Sequence, residues 1–164
     1  MAKKARLGKD RRPTMMDVAA IVNQMSRLPL LGMIYGTILT RRVELSSAFD
    51  GQHTVLLNCY NADRSLPSVV PGDVLGGRTA TDHLIKAGYK RVALINGQSG
   101  VEATRDRLKG YRQALSSHDI PFDGDLVKPG NWEPLSGYEH THALMDLEMP
   151  PDAIFCANDL MALG

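Results

Sequence analysis

Apolar residues recur along this chain first at helical spacing and then in short runs. Val18, Ile21, Val22, Met25 and Leu28 fall three or four apart, which lines one side of an α-helix. Thr14, with Asp17 three residues on, reads as its start, because a hydroxyl and a carboxylate there satisfy otherwise unpartnered backbone N–H groups. Pro29 ends it. Leu30 to Tyr35 suits a buried strand, whereas Gly36 to His53 keeps no consistent period. Thr54 to Leu57 predicts a second strand, and Ser68 to Val70 a brief third closed by Pro71-Gly72. Asp73 caps a helix through Ala87, stopped by Gly88. Arg91 to Ile95 is a strand, and Asn96 to Gly100 turns into a helix reaching Ser117. Leu126-Val127 is a weak strand, Gly130 to Glu133 a loop, and Ser136 to Leu147 a helix ended by Met149-Pro150-Pro151. Ala153 to Cys156 is the last strand, and Asn158 opens a further helix. Strands alternating with helices of about ten to fifteen residues imply βαβ units, an α/β fold with a mainly parallel sheet.

Composition changes this picture little. The 164 residues are 43% hydrophobic and 23% charged, enough for one ordinary domain core. The net charge of +1 hides an asymmetry: Lys3, Lys4, Arg6, Lys9, Arg11 and Arg12 crowd the start against Asp10 alone. Such an arm attracts nucleic-acid phosphates or is simply a solvated tail. Cys59 and Cys156 stand far apart at the ends of apolar runs, without metal-ligand spacing. Both are expected to be buried thiols outside any disulfide, which suits a reducing cytoplasm. No apolar run approaches the ~20 residues of a membrane span, and the basic start lacks the apolar stretch of a secretory signal. The expected location is therefore cytoplasmic, with no membrane partner.

In open α/β sheets, ligands bind beyond the carboxyl ends of the strands. Asn58-Cys59-Tyr60, Asn96-Gly97-Gln98-Ser99 and Asn158-Asp159 occupy such ends. Arg107 flanks the buried face marked by Leu108, Tyr111 and Leu115, and helical side chains tilt toward the N-terminus, so its guanidinium can reach back to the crevice. An arginine fork, an amide, a carboxylate and the only tryptophan, Trp132, suit a polyhydroxylated ligand. Each residue also has a plain alternative: a solvent-facing arginine, a core tryptophan, a helix cap. Among competing motifs, Gly72 to Thr79 imitates a phosphate-binding loop but carries Arg78 in place of its lysine, and Asp73 would repel the anion. His140 and His142 are two apart and cannot readily share a metal on a helix. No serine, histidine and acid fall into a hydrolase pattern. Neither catalysis, metal nor cofactor is expected.

Four segments resemble the LacI/GalR family of transcription regulators. Gly72-Asp73-Val74-Leu75-Gly76-Gly77 with Ala80 and His83-Leu84 is similar to its "D-N-x-x-G-G-x-x-A-x-x-H-L", with Gly72-Asp73 standing where Asp-Asn is usual. Gly88-Tyr89-Lys90-Arg91-Val92-Ala93 resembles "G-H-x-R-I-A", and Arg107 to Tyr111 matches "R-x-x-G-Y/F". Ala153 to Gly164 reads like "A-x-x-x-A-N-D-x-M-A-x-G". The resemblance implies Rossmann-like parallel sheet layers of a periplasmic-binding-protein-like fold, incomplete here, with a sugar-like effector between two lobes. It implies that Arg107 and Asn158 bind the effector, with Asp159 beside them. It aligns Trp132 with a position where some members stack an aromatic on the sugar, and Tyr60 with a more loosely matching one. A homodimer and DNA are the other partners that the family implies.

Arg12 to Ala19 resembles the opening of that family's helix-turn-helix, "R-x-T-x-x-D-V-A", which makes Arg12, Thr14 and Met15 candidate DNA contacts. The turn and recognition helix that should follow are absent from the sequence. Leu30 to Ile34 instead resembles a sensing-domain strand, "V-D-G-I-I", with Leu31 replacing Asp. Residues 1–20 are thus expected to be a basic arm and the start of a truncated helix-turn-helix, and residues 21–164 a partial effector-binding domain with parts of both lobes. The expected function is a DNA-binding repressor responding to a sugar-like effector and impaired by truncation. A stand-alone sugar-binding module without DNA binding is the alternative.

Overall fold

The computed structural model describes residues 15–164. They form two compact units, one of residues up to Gly36 with Arg42–Val69, the other of Thr37–Arg41 with Val70–Gly164. Arg12 and Thr14 lie outside the described residues.

The first unit holds helix α1 (Met15–Met25) and strands β1 (Met33–Val43), β2 (Thr54–Asn61) and β3 (Ser68–Val69), in the sheet order β1-β2-β3. The middle of β1 is counted with the second unit. Strands β2 and β3 are parallel, with Leu57 opposite Val69. Along β2 the two-residue alternation buries Thr54 and Leu56, and then Asn58 takes a left-handed φ of 58°. That kink shifts the pattern by one residue, so Cys59 returns to the buried face. Val43, Leu56 and Cys59 form the core, with Tyr35, Leu45 and Leu66 packed on it.

Helix α1 lies against the turn Ser47–Phe49 and buries Val22, but Ile21 and Leu28 are exposed. The helix is shorter than its periodicity predicts. Beyond Met25 the N–H groups of Arg27 and Leu28 bond three residues back, a tightening that ends the helix before Pro29. Strand β1 is correspondingly longer than expected. Its second half carries Thr37, Thr40, Arg41 and Arg42, polar residues that hide a strand from a search for apolar runs.

The second unit alternates α2 (Asp73–Lys86), β4 (Val92–Asn96), α3 (Glu102–Ser117), β5 (Val127–Pro129), α4 (Pro134–Met145), β6 (Ala153–Cys156) and α5 (Asp159–Leu163). Its three strands are parallel in the order β5-β4-β6. Strand β4 is central and buried throughout, which explains its unbroken apolar run. Val92 and Leu94 point to one face and pack with Ile85, Tyr111 and Leu115 from α2 and α3. Ala93 and Ile95 point to the other and pack with Leu126, Leu144 and Met161. Each fully buried Val, Leu or Ile contributes about 1.5–3 kcal/mol. Cys156 is only half-buried, because β6 is an edge strand, and burial still pushes its thiol pKa up. Cys59 is buried as expected, its thiol donating to the Tyr35 carbonyl at 3.6 Å.

Helices α2 and α3 meet backbone to backbone. A Cβ on Gly77 would strike the Arg107 carbonyl, and one on Gly110 the Val74 carbonyl. Two glycines of the apparent phosphate loop, Gly76 and Gly77, therefore lie inside α2, and Gly77 permits the close crossing. That crossing brings Arg107 to the first turn of α2.

Candidate functional site

Three carboxyl-terminal strand ends are tied together in the second unit. The Gly130 N–H donates to the Asn96 carbonyl at 2.8 Å, and the Ala157 N–H to the Ile95 carbonyl at 2.9 Å. Asn96 fixes the turn after β4: its Oδ1 accepts from the Gly97 N–H, and its Nδ2 donates to the Thr104 carbonyl, each at 2.9 Å. Asn158 does the same after β6. Its Oδ1 accepts from the Met161 N–H at 3.0 Å as the cap of α5, and its Nδ2 donates to the Trp132 carbonyl at 2.9 Å.

That second bond holds an unusual backbone. Trp132 has a φ of 73°, a left-handed conformation costing a bulky residue about 1–2 kcal/mol. Its ring occupies the space above Gly97, where a Cβ would collide with it and approach Thr104 Oγ1 to 2.6 Å. Trp132 Nε1 and Thr104 Oγ1 are both buried and without a hydrogen-bond partner among the described residues. Unsatisfied buried polar atoms cost about 1–3 kcal/mol each, and these two side chains lie beside the same glycine.

Arg107 closes the arrangement. Its Nε donates to Asp73 Oδ1 at 2.9 Å, and its Nη2 lies 2.9 Å from the same oxygen. Its Nη1 donates to the Ala157 carbonyl at the end of β6. The guanidinium carbon stands 5.8 Å from the centre of the Trp132 ring, within reach of a cation–π attraction. Of the five N–H bonds of a guanidinium, these contacts engage three and leave two.

The structure thus brings Arg107, Trp132 and Asn158 together. Asp159, the first residue of α5, is exposed. Tyr60 belongs to the other unit, where the Arg64 guanidinium lies 3.5 Å from its ring centre. Met15 begins α1. Asp73, expected from the sequence to be a helix cap, instead pairs with Arg107 at this site. Gly72 is the cap position, Asp73 opens the helix, and its side chain is only 4% exposed. An acid in a first helical turn has the ordinary explanation of complementing the helix dipole, so nothing local distinguished it. The glycines at 77 and 110 were the available signal of a close helix crossing.

Residues 16–164 match the family model described as periplasmic binding proteins and sugar binding domain of LacI family. The chain belongs to that family. It is similar to a probable HTH-type transcriptional repressor, ExuR, of Bacillus subtilis, 34% identical over 110 residues, covering 67% of this chain and 33% of that protein. It is also similar to the HTH-type transcriptional repressor PurR of Haemophilus influenzae, 38% identical over 89 residues, covering 54% of this chain and 26% of that one. Among solved structures, the Escherichia coli transcriptional repressor ascG superposes with a TM-score of 0.71 and 27% identity, over 91% of this chain and 55% of its own. A transcriptional regulator CelR in complex with cellobiose gives 0.68 and 28%, over 90% and 45%. The chain spans about a third or less of the length of the repressors it matches and about half of the solved structures. These LacI-family relatives are transcriptional repressors and regulators, not enzymes.

Proposed function

We propose that this LacI-family chain carries the effector-sensing part of a transcriptional repressor, with a sugar-like molecule bound at the ends of β4, β5 and β6. The observation that carries this reading is the anchored Arg107 guanidinium, with two N–H bonds left over, beside the Trp132 ring. Aromatic faces pack on the apolar faces of sugars while forked donors fix neighbouring hydroxyls. Asn158 holds the Trp132 backbone, and its remaining amide N–H is available to a ligand. The cellobiose bound by the related CelR regulator supports a carbohydrate. Trp132 is the only tryptophan, so its fluorescence is the direct test across a panel of mono- and disaccharides. One sugar is expected to change the emission saturably, and Arg107→Ala to abolish the effect. Silence across the panel, with the chain folded, overturns the reading.

Base-specific DNA binding by this chain is not part of the proposal. A helix-turn-helix needs a second helix a few residues after the first, and α1 is followed by strand β1. Any attraction to DNA is expected to come from the basic arm, equal on operator-like and unrelated duplexes, and to fade with salt in a gel-shift titration. The stand-alone sensing module therefore remains the alternative to an effector-controlled repressor.

A further inference from the structure

We propose that Asp73 sets the ligand class of this site: its carboxylate cancels the Arg107 charge, so the site takes an uncharged polyhydroxylated molecule and discriminates against anionic analogues. The inference rests on the site proposed above for its ligand. A lone arginine fork binds carboxylates and phosphates bidentately and with full charge. Here the edge formed by Nε and Nη2 is already taken by Asp73 Oδ1. The other carboxylate oxygen accepts from the Thr40 hydroxyl at 3.3 Å, which keeps Asp73 from turning away. The acid sits in the first turn of a 14-residue helix. With 4% of its side chain exposed, solvent screens it little. What a ligand meets is two N–H donors on a neutralised guanidinium. Hydroxyl groups accept from such donors without penalty, whereas a carboxylate or phosphate also meets the buried charge of Asp73. Asp73 is a positioning residue as well, because it and the Ala157 carbonyl fix the plane of the guanidinium beside Trp132.

The test uses the full chain labelled with 15N and follows the Arg107 Nε–H signal, assigned by its loss in Arg107→Lys. Inorganic phosphate is expected to leave this signal unmoved in the wild type. In Asp73→Asn it is expected to shift the signal saturably, with phosphate bound about tenfold or more tightly than by the wild type. Asp73→Glu, which keeps the charge, should restore the wild-type behaviour. Saturable phosphate binding at Arg107 in the wild type overturns the proposal. So does an Asp73→Asn chain that loses stability without gaining phosphate, the result expected of a mere strut between the helices. Should Asp73→Asn fail to fold, the wild-type and Asp73→Glu titrations decide: no response in either supports the assignment, and a response in either overturns it. Failure of every neutral sugar to change Trp132 fluorescence, with the phosphate results as expected, removes the sugar reading and leaves the charge assignment standing.

Discussion

Tyr111 shows how burial and a single hydrogen bond set a side chain's chemistry. It is fully buried against β4, and its hydroxyl donates to the Val92 carbonyl at 2.9 Å. Burial pushes its pKa up to about 12, Asp123 adds to the rise, and Arg91 opposes it. The neutral phenol is thus favoured in the folded state. Its stabilising contribution is whole below the unfolded value near 10 and is lost as pH rises through about 12, because the unfolded chain gives up the proton first. Titration of tyrosine absorbance should show a step near pH 12, and Tyr111→Phe should remove it. At the same scale, Asp73 and Arg107 illustrate what a linear reading misses. Each residue type was visible in the sequence, but they are 34 positions apart, and only the helix crossing makes them neighbours.

Helices α2 and α3 are the elements on which the site depends, and their contact is made by absence of side chains. Gly110→Ala would drive a methyl group into the Val74 carbonyl and the Arg78 N–H. Neither backbone group can swing aside, so the substitution is expected to destabilise the chain by about 3 kcal/mol. Denaturant unfolding measures this, and Gly76→Ala is the control, since a Cβ there meets nothing. Helix propensity favours Ala over Gly, so Gly76→Ala is expected to be neutral or stabilising, and an equal loss in both would count against the crossing. The elements of this unit were largely legible in the sequence. Gly88 ends α2 as expected, with a left-handed φ of 108°, and the apolar run of β4 is the buried central strand. Elements of the first unit were less so, because α1 buries only part of its apolar stripe and β1 is half polar.

Among its described residues, the first unit leaves one sheet face exposed. Val55 and Leu57 alternate with buried Leu56, Val69 stands opposite Leu57, and a Cβ on Gly36 would face Leu57, which places Ile34 on the same side. Ile34 is 74% exposed and Val69 60%. Contiguous apolar surface of this kind drives association in water. Sedimentation velocity is expected to show concentration-dependent self-association, reduced by Ile34→Lys with Leu57→Lys. A chain that stays monomeric at all concentrations counts against this.

The sequence by itself determined the α/β class, the family, and the order of elements from Asp73 onward. Those signals are local: caps, glycine stops and apolar periods act between residues a few positions apart, and they survive in any context. The tertiary structure alone decided which polar groups meet. The left-handed Trp132 above Gly97, the Asn158–Trp132 bond and the Asp73–Arg107 pair all join residues distant in sequence. Their geometry follows from how closely backbones approach, and that distance is set jointly by both partners of each contact.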